Sequence, residues 1–236
     1  MSDAAQRLAQ TIDEKKFRIV YQPIVDLRKR AVFAYEALVR PELFKSPPEM
    51  IDAAVAAGRV GELGRSMRQM TMSNCQEHAL FVNIHPNELS ERYLVQPDDP
   101  IFSHPEELFL ELTEAVPLSE LDMSANVLRE IGDRGVHVVV DDLGSGYSNL
   151  RYLADLKPKV VKIDRELVMG LQPNSRRFTL MRNLVRMCVE LSARVVAEGI
   201  ETTAELAAVI DAGVHLGQGY LLARPAFPPP APIWPL

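Results

Sequence analysis

Short apolar runs alternate with longer amphipathic segments along most of this 236-residue chain. The runs are rich in Val, Ile, Leu and Phe on both faces, which is typical of parallel strands covered by helices. Eight strand candidates in about 220 residues favour a TIM-type (β/α)8 barrel over an open sheet. No fixed-period repeat or domain linker interrupts the pattern, so we expect residues 1–236 to form one domain.

The beginning of the chain departs from this alternation. Residues 1–16 mix apolar and charged side chains at helical spacing and predict a lead-in helix. A short polar turn joins the strand candidates 17–25 and 31–40, which predicts an antiparallel pair because parallel strands need a long crossover. Pro23 indicates that the first strand is an edge strand or is interrupted.

The end of the chain is also irregular. A last short strand is expected near residues 217–221. The tail 226–236 contains too many prolines for a helix or a central strand. We expect an extended cover whose Trp234 packs on the barrel.

Composition argues against several classes of protein. Lys and Arg number 26 against 32 Asp and Glu, so the net charge is −6, and no basic patch indicates a DNA or anionic membrane surface as partner. No apolar run approaches the roughly 18 residues of a membrane segment, and the N-terminus lacks an apolar signal sequence. Cys75 and Cys188 are not closely spaced and are expected to be reduced, buried thiols in a cytoplasmic protein.

Polar residues recur at or near the carboxyl ends of the strand candidates, and in a barrel these ends meet on the face that carries catalysis. They are Glu36, Asn83, Glu111, Asp141 with Asp142, Lys162, Glu198 and Gln218. An edge charge or a helix cap explains any one of them, but not their recurrence in strand after strand. Carboxylates and an amide oxygen, without His or Cys, predict a hard oxygen site for Mg²⁺ or Mn²⁺.

Asp141 and Asp142 end a β-branched run and precede a Gly-Ser-Gly turn. Adjacent carboxylates repel each other unless a cation or hydrogen-bond donors hold them. Taken alone, the pair is explained equally well as a helix cap. The whole set of acids exceeds the needs of one Mg²⁺ and suggests two ions about 3.5–4 Å apart that promote an in-line phosphoryl displacement. Lys162 is suited to hold the attacking water among these acids.

The order of the motifs resembles one known family, the EAL-domain cyclic di-GMP phosphodiesterases, from about residue 17 to residue 225. The signature Glu36-Ala37-Leu38 stands among seven further motifs in the same order. These are residues 21–24, 82–84, 111–114, 141–146, 162–165, 197–201 and 217–220. One Glu-Ala-Leu would carry no weight, but eight ordered motifs are highly specific.

The resemblance implies a TIM-type barrel with an antiparallel first strand and hydrolysis of cyclic di-GMP to linear pGpG. It implies Mg²⁺ or Mn²⁺ as cofactor, with two ions, and inhibition by Ca²⁺. By motif, the first ion would be bound by Glu36, Asn83, Glu111 and Asp141. The second would be bound by Asp141, Asp142 and Glu198.

The resemblance also implies roles for residues around the metals. Lys162 and Gln218 would position the water, Arg40 would pair with a substrate phosphate, and Gln22 would contact the nucleotide. Glu201 would orient the metal ligands from outside. Glu114 would anchor the loop after Asp142, which in the family lies near a homodimer interface.

Departures from the family pattern include Pro41 in place of Trp, His85 in place of Ser and Leu143 in place of Phe. None of them removes a metal ligand or Lys162. They leave two functions open, an active phosphodiesterase and a catalytically silent cyclic di-GMP receptor or protein-interaction module. The sequence contains no recognisable sensor domain, so we expect a regulatory partner protein or a sensor elsewhere in a longer protein.

Overall fold

The structure is a computed structural model that describes residues 3–90, 93–113, 118–144 and 150–235. Its strands are β1 Phe17–Asp26, β2 Ala31–Pro41, β3 Leu80–Asn83, β4 Leu108–Thr113, β5 His137–Leu143, β6 Val160–Ile163, β7 Arg194–Ala197 and β8 Leu216–Gly217. Its α-helices are α1 Asp3–Asp13, α2 Pro47–Ala56, α3 Val60–Asn74, α4 Pro86–Ser90, α5 Leu118–Asp133, α6 Arg151–Leu156, α7 Arg165–Val168, α8 Arg176–Glu190 and α9 Thr203–Asp211. Short 3-10 helices span Tyr93–Val95 and Pro100–Phe102.

The strands close into a barrel in chain order, from β1 to β8. β1 runs antiparallel to β2 and to β8, and the remaining neighbours are parallel. The short turn between Asp26 and Ala31 requires this reversal, because a parallel neighbour would need a long crossover. The predicted TIM-type barrel with an antiparallel first strand is therefore confirmed.

The interior of the barrel consists of two layers, because alternate residues of a strand point to the same face. The lower layer is apolar and takes one residue from each strand: Ile24, Ala34, Phe81, Phe109, Val139, Val160, Val196 and Leu216. Residues two positions away, towards the carboxyl ends of β2 to β8, are polar: Gln22, Glu36, Asn83, Glu111, Asp141, Lys162, Glu198 and Gln218. In β1 the polar residue Gln22 comes two positions before the apolar residue Ile24, because β1 runs in the opposite direction. An apolar floor thus supports a polar mouth.

A second, larger core lies between the barrel and its helices. Outward-facing residues such as Leu80, Leu110 and Val195 pack there against helix residues such as Met181 and Leu206. Burial of each such side chain contributes about 1.5–3 kcal/mol. This packing fixes the strand ends that carry the polar mouth.

Two local predictions need correction. β1 is not an edge strand, since it continues through Pro23 between β2 and β8. Pro23 lies between Val25, which pairs with β8, and Tyr21, which pairs with Ala226, and a register shift follows at Ile24. Proline has no backbone N–H. Among the described residues, Pro23 lies between these two pairings, where no backbone N–H is needed for a hydrogen bond to the neighbouring chain.

The last strand is shorter and earlier than the predicted range 217–221, because β8 ends at Gly217. The Gln218 N–H still donates to the carbonyl of Ala197 on β7 at 2.9 Å, and further bonds of this backbone go to the loop after β7. The Gln218 carbonyl accepts from the Ile200 N–H at 3.0 Å, and the Leu221 N–H donates to the Ile200 carbonyl at 3.0 Å. These bonds hold Gln218 at the mouth beside the loop after β7.

The Pro-rich tail crosses the outside of the barrel as an extended segment, as predicted. The Tyr35 hydroxyl donates to the Pro230 carbonyl at 3.1 Å, and Trp234 packs against the outer core below the Arg30 guanidinium. The cysteines Cys75 and Cys188 are unpaired and buried, and burial raises the pKa of each thiol to about 11. No helix in the described part of the chain has the length and apolar character that crossing a bilayer requires.

Candidate metal centre and active site

One buried ammonium group lies among four carboxylates at the mouth of the barrel. Lys162, on β6, is 1% exposed. Its Nζ atom lies near one oxygen of each acid: Glu111 Oε1 at 2.6 Å, Glu198 Oε1 at 2.6 Å, Asp141 Oδ1 at 3.3 Å and Glu36 Oε2 at 3.6 Å. The residues come from five different strand ends, so the barrel closure alone brings them together.

The electrostatics of this cluster are strongly coupled. Burial by itself lowers the pKa of the Lys162 ammonium, but Glu111, Glu198, Glu36 and Asp141 together raise that pKa well above its usual value. Burial raises the pKa of the Glu111 carboxyl well above its usual range and that of Glu198 to about 8, and Lys162 opposes both shifts. One lysine therefore compensates only part of the buried negative charge.

The donor set fits a divalent cation. Glu111 is fully buried; its Oε1 pairs with the Lys162 ammonium at 2.6 Å, and its Oε2 has no hydrogen-bond partner among the described residues. Buried carboxylate oxygens are costly unless they are paired or coordinate a metal. Hard oxygen ligands of this kind suit Mg²⁺, Mn²⁺ or Ca²⁺.

A second group of acids lies beside the first. Asp141, Asp142 and Glu198 each offer an oxygen within 4.8 Å of the others, and this group is a candidate divalent-metal site. The backbone of Asp142 has a φ of +59°, and its N–H donates to Asp141 Oδ1 at 2.9 Å. This unusual backbone lets two adjacent residues contribute to one site, although neighbours in a regular strand point apart.

Amide side chains complete the polar layer. Gln218 Nε2 donates to Glu36 Oε2 at 2.6 Å and to Gln22 Oε1 at 3.2 Å. Gln22 Nε2 donates in turn to the Ala223 carbonyl at 3.0 Å. Asn83 Nδ2 lies 3.4 Å from Glu36 Oε1. Gln218 Oε1 is buried without a hydrogen-bond partner in the described residues, so it is available to a water or a ligand.

Two clefts open from the polar layer, and both are lined by Glu36 and Leu38. One has a volume of about 290 Å³ and contains the predicted phosphate ligand Arg40, whose Nη1 donates to the Val39 carbonyl at 3.0 Å. The other has a volume of about 240 Å³ and contains Glu198 and Glu201.

The predicted residues do not all meet at the metal centre. Glu201 pairs with Arg165 at 2.9 Å in the smaller cleft, and its side chain is 41% exposed. Glu114 and the loop residues 145–149 lie outside the described residues. Sequence reasoning gave no role to Arg165, although it stands three residues after Lys162 in a quoted motif. Its position in the cleft becomes visible only in three dimensions.

Comparison with known proteins gives consistent matches. The family described as EAL domain matches residues 5–225. The chain is 29% identical over 239 residues to the cyclic di-GMP phosphodiesterase NbdA of Pseudomonas aeruginosa, a match that covers 93% of this chain and 30% of that protein. The chain spans about a third of the length of the curated relatives it matches.

Solved structures agree with this match. BlrP1 of Klebsiella pneumoniae, solved with calcium and cyclic di-GMP, has a TM-score of 0.78 and 28% identity, over 89% of this chain and 56% of that one. An EAL domain protein from Listeria monocytogenes EGD-e has a TM-score of 0.80 and 26% identity, over 96% of this chain and 95% of that one.

Proposed function

The chain belongs to the EAL domain family, and from this membership we propose that it hydrolyses cyclic di-GMP to linear pGpG in a metal-dependent reaction. The observation that carries the proposal is the cluster of carboxylates around Lys162 at the barrel mouth. Relatives named as cyclic di-GMP phosphodiesterases support the substrate.

Two divalent cations are proposed as cofactors, either Mg²⁺ or Mn²⁺. The first would be held by Glu36, Asn83, Glu111 and Asp141, and the second by Asp141, Asp142 and Glu198. When bound, such ions neutralise phosphate charge and lower the pKa of water. Ca²⁺ is expected to bind and inhibit, because its longer and looser coordination is less suited to a tight two-metal arrangement.

The side chains around the acids have supporting roles in this proposal. Lys162 donates to the attacking water, and the unpaired Gln218 Oε1 accepts from it. Arg40 binds a phosphate through charge-assisted hydrogen bonds, and Gln22 contacts the nucleotide. Glu201 acts from the smaller cleft through Arg165, and Glu114 anchors the loop after Asp142.

One observation favours a second candidate function. The Lys162 ammonium contacts four of the proposed metal ligands and so competes with a cation for their oxygens. A protein that keeps this arrangement would bind cyclic di-GMP without turnover, as a receptor or interaction module. The full set of carboxylates favours the enzyme, because a receptor has no need to bury that many acids.

The two functions are separated by incubating the purified protein with cyclic di-GMP and Mn²⁺ and measuring nucleotides by chromatography. The enzyme should yield pGpG, and the Asp141→Asn variant should yield none. Equilibrium dialysis with Ca²⁺ measures binding without turnover. Intact nucleotide with wild type and variant alike, together with binding, would establish the receptor instead.

We further propose that residues 1–236 form one EAL-type barrel domain that acts as a homodimer. A groove of about 910 Å³ runs between α5 and α6. Leu191, which lines this groove, is 44% exposed, and a second copy would cover it. Light scattering at micromolar concentration measures the molar mass. A protein that is monomeric and fully active at this concentration would refute a required dimer.

Location and regulation are also proposals. The two unpaired, buried thiols support a cytoplasmic location, where cysteines stay reduced. Regulatory input is proposed to come from a partner protein or from a sensor domain of a longer protein.

A further inference from the structure

A completely buried ion triad lies beside the barrel, away from the carboxylate cluster. Arg68 on α3 is 1% exposed, and Glu88 on α4 and Asp99 are each 2% exposed. The Arg68 guanidinium donates to Asp99 through Nε at 3.1 Å and Nη2 at 2.8 Å, and through Nη1 to Glu88 Oε2. Apolar residues can replace buried ion groups of this kind without loss of stability, so stability alone is a weak reason to retain one.

Two arms leave Arg68 in different directions. The Asp99 arm leads to the 3-10 helix Pro100–Phe102, where Asp99 Oδ1 accepts the Ile101 N–H at 3.1 Å. The Glu88 arm leads to the barrel mouth, because Glu88 Oε1 accepts the His85 N–H at 3.1 Å. His85 is the second residue after Asn83, one of the proposed metal ligands.

The Glu88 arm fixes the chain where β3 turns into α4. The Glu88 N–H donates to the His85 carbonyl at 2.9 Å, so main chain and side chain of Glu88 both bind His85, as in the N-terminal cap of a helix. β3 and α4 are short, and neither can hold the turn alone.

Gly64 makes room for this contact. It precedes Arg68 by one helical turn on α3, and a Cβ atom at this position would overlap the Glu88 carboxylate. On one face of α3, Gly64 leaves the space that the Glu88 carboxylate occupies, and Arg68 donates a hydrogen bond to that carboxylate.

We propose that Glu88, held by Arg68, is a positioning residue that fixes the turn after β3 and thereby aims the Asn83 side chain at the metal centre. The inference rests on the proposed function, because it presumes that Asn83 binds a divalent cation. Within the described residues, the hydrogen bonds of the Glu88 side chain go to Arg68 and to the backbone of His85, so its effect on Asn83 passes through that backbone. In the alternative, the triad simply joins α3 to the segment around Asp99.

The triad supplies its own matched control. Glu88→Leu keeps approximately the side-chain volume and removes both acceptor oxygens from the arm that leads to Asn83. Asp99→Asn weakens the other arm and leaves the link from Arg68 through Glu88 to His85 intact. Glu88→Gln retains one acceptor for His85 and should fall between Glu88→Leu and wild type.

The test is a titration of the full chain with Mn²⁺. Binding is measured from the electron paramagnetic resonance signal of the Mn²⁺ that remains free. Melting curves of each variant identify a temperature at which all are folded. Glu88→Leu should raise the Kd for Mn²⁺ about tenfold to a hundredfold, the range of ligand-positioning contacts. Asp99→Asn should lower the Tm and leave the Kd within about threefold of wild type.

Three results would contradict the proposal in distinguishable ways. Equal Kd values in wild type and Glu88→Leu would overturn the positioning role and leave the proposed function intact. Equal losses of Mn²⁺ affinity in Glu88→Leu and Asp99→Asn would show that the triad acts only through the stability of the fold. No Mn²⁺ binding by wild type would overturn the metal centre itself. If Glu88→Leu does not fold, Glu88→Gln and Asp99→Asn give the comparison.

Discussion

The Lys162 ammonium lies 2.6 Å from the Glu198 carboxylate at the mouth of the barrel. Lys162 is almost fully buried, and the Glu198 side chain is 18% exposed. The same ammonium also lies 2.6 Å from Glu111. Without metal, one cation therefore holds together acids that would otherwise repel each other, and added divalent cations would compete for the same oxygens.

Removal of that ammonium should separate its structural and chemical roles. Lys162→Met leaves four acids uncompensated, and breaking a buried ion pair from one side costs about 3–5 kcal/mol. The Tm of the metal-free protein should fall, and Mn²⁺ should restore more of it than in wild type. Loss of the group that positions water should lower turnover by about 10²–10⁴-fold.

The control for this prediction is Lys29→Met, which alters an exposed lysine in the turn between β1 and β2. Its stability should stay within about 0.5 kcal/mol of wild type, as for ordinary surface changes. A Lys162→Met variant with wild-type turnover would remove Lys162 from the reaction.

The pH dependence of stability should include a contribution from Glu205 in the first turn of α9. Burial by itself raises the pKa of this carboxyl, but hydrogen bonds from the N–H groups of Gly170, Glu201 and Thr202 bring it below its ordinary value of 4.5. A lowered carboxyl pKa stabilises the fold above the unfolded-state value, and the contribution is lost as pH falls through the folded-state value.

We therefore expect Glu205→Gln to be destabilised at neutral pH by about 1–3 kcal/mol, the range of hydrogen bonds to charged groups. The difference from wild type should shrink as the pH falls below 4.5. Urea unfolding across pH 3–7, roughly the range in which carboxylates titrate, measures it. A difference that is constant over this range would contradict the charged role of Glu205.

Gly219 tests how closely the loops after β7 and β8 pack. A Cβ atom on Gly219 would overlap the backbone of Ile200, and Gln218 stands directly before it. Gly219→Ala should cost about 1–3 kcal/mol by overpacking and should shift Gln218 at the mouth. A displacement of 1 Å in an active site can lower turnover about 10²-fold.

The matched control is Gly132→Ala on α5, where an added Cβ has no atom within 4 Å. This change should be neutral or stabilising by up to about 1 kcal/mol, since alanine favours helix. Equal effects of the two substitutions on turnover would show that close packing at Gly219 does not position Gln218.

The strand ends were predictable from the sequence because each strand obeys a local rule. A period of two puts Val160 and Lys162 on one face, and barrel closure then brings Lys162 to Glu198 without further information. The extent of β8 was not predictable, because its end depends on hydrogen bonds to Ile200, which is distant in sequence.

The ion triad could not be predicted from the sequence for a related reason. Arg68 and Asp99 are 31 residues apart and join elements outside the strand pattern. Charged residues in helices and loops are usually exposed, so neither residue signals burial by its type. Arg165 was missed in the same way, since its contact with Glu201 depends on the meeting of α7 with the loop after β7.

Hydrolysis in ¹⁸O-labelled water tests the central claim most directly. Wild-type protein with Mn²⁺ and cyclic di-GMP should give pGpG with one ¹⁸O atom in its terminal phosphate, detected by mass spectrometry. Asp141→Asn should give no labelled product under the same conditions. Unlabelled, intact cyclic di-GMP in both reactions, with Mn²⁺ binding demonstrated for wild type, would contradict the assignment as a phosphodiesterase.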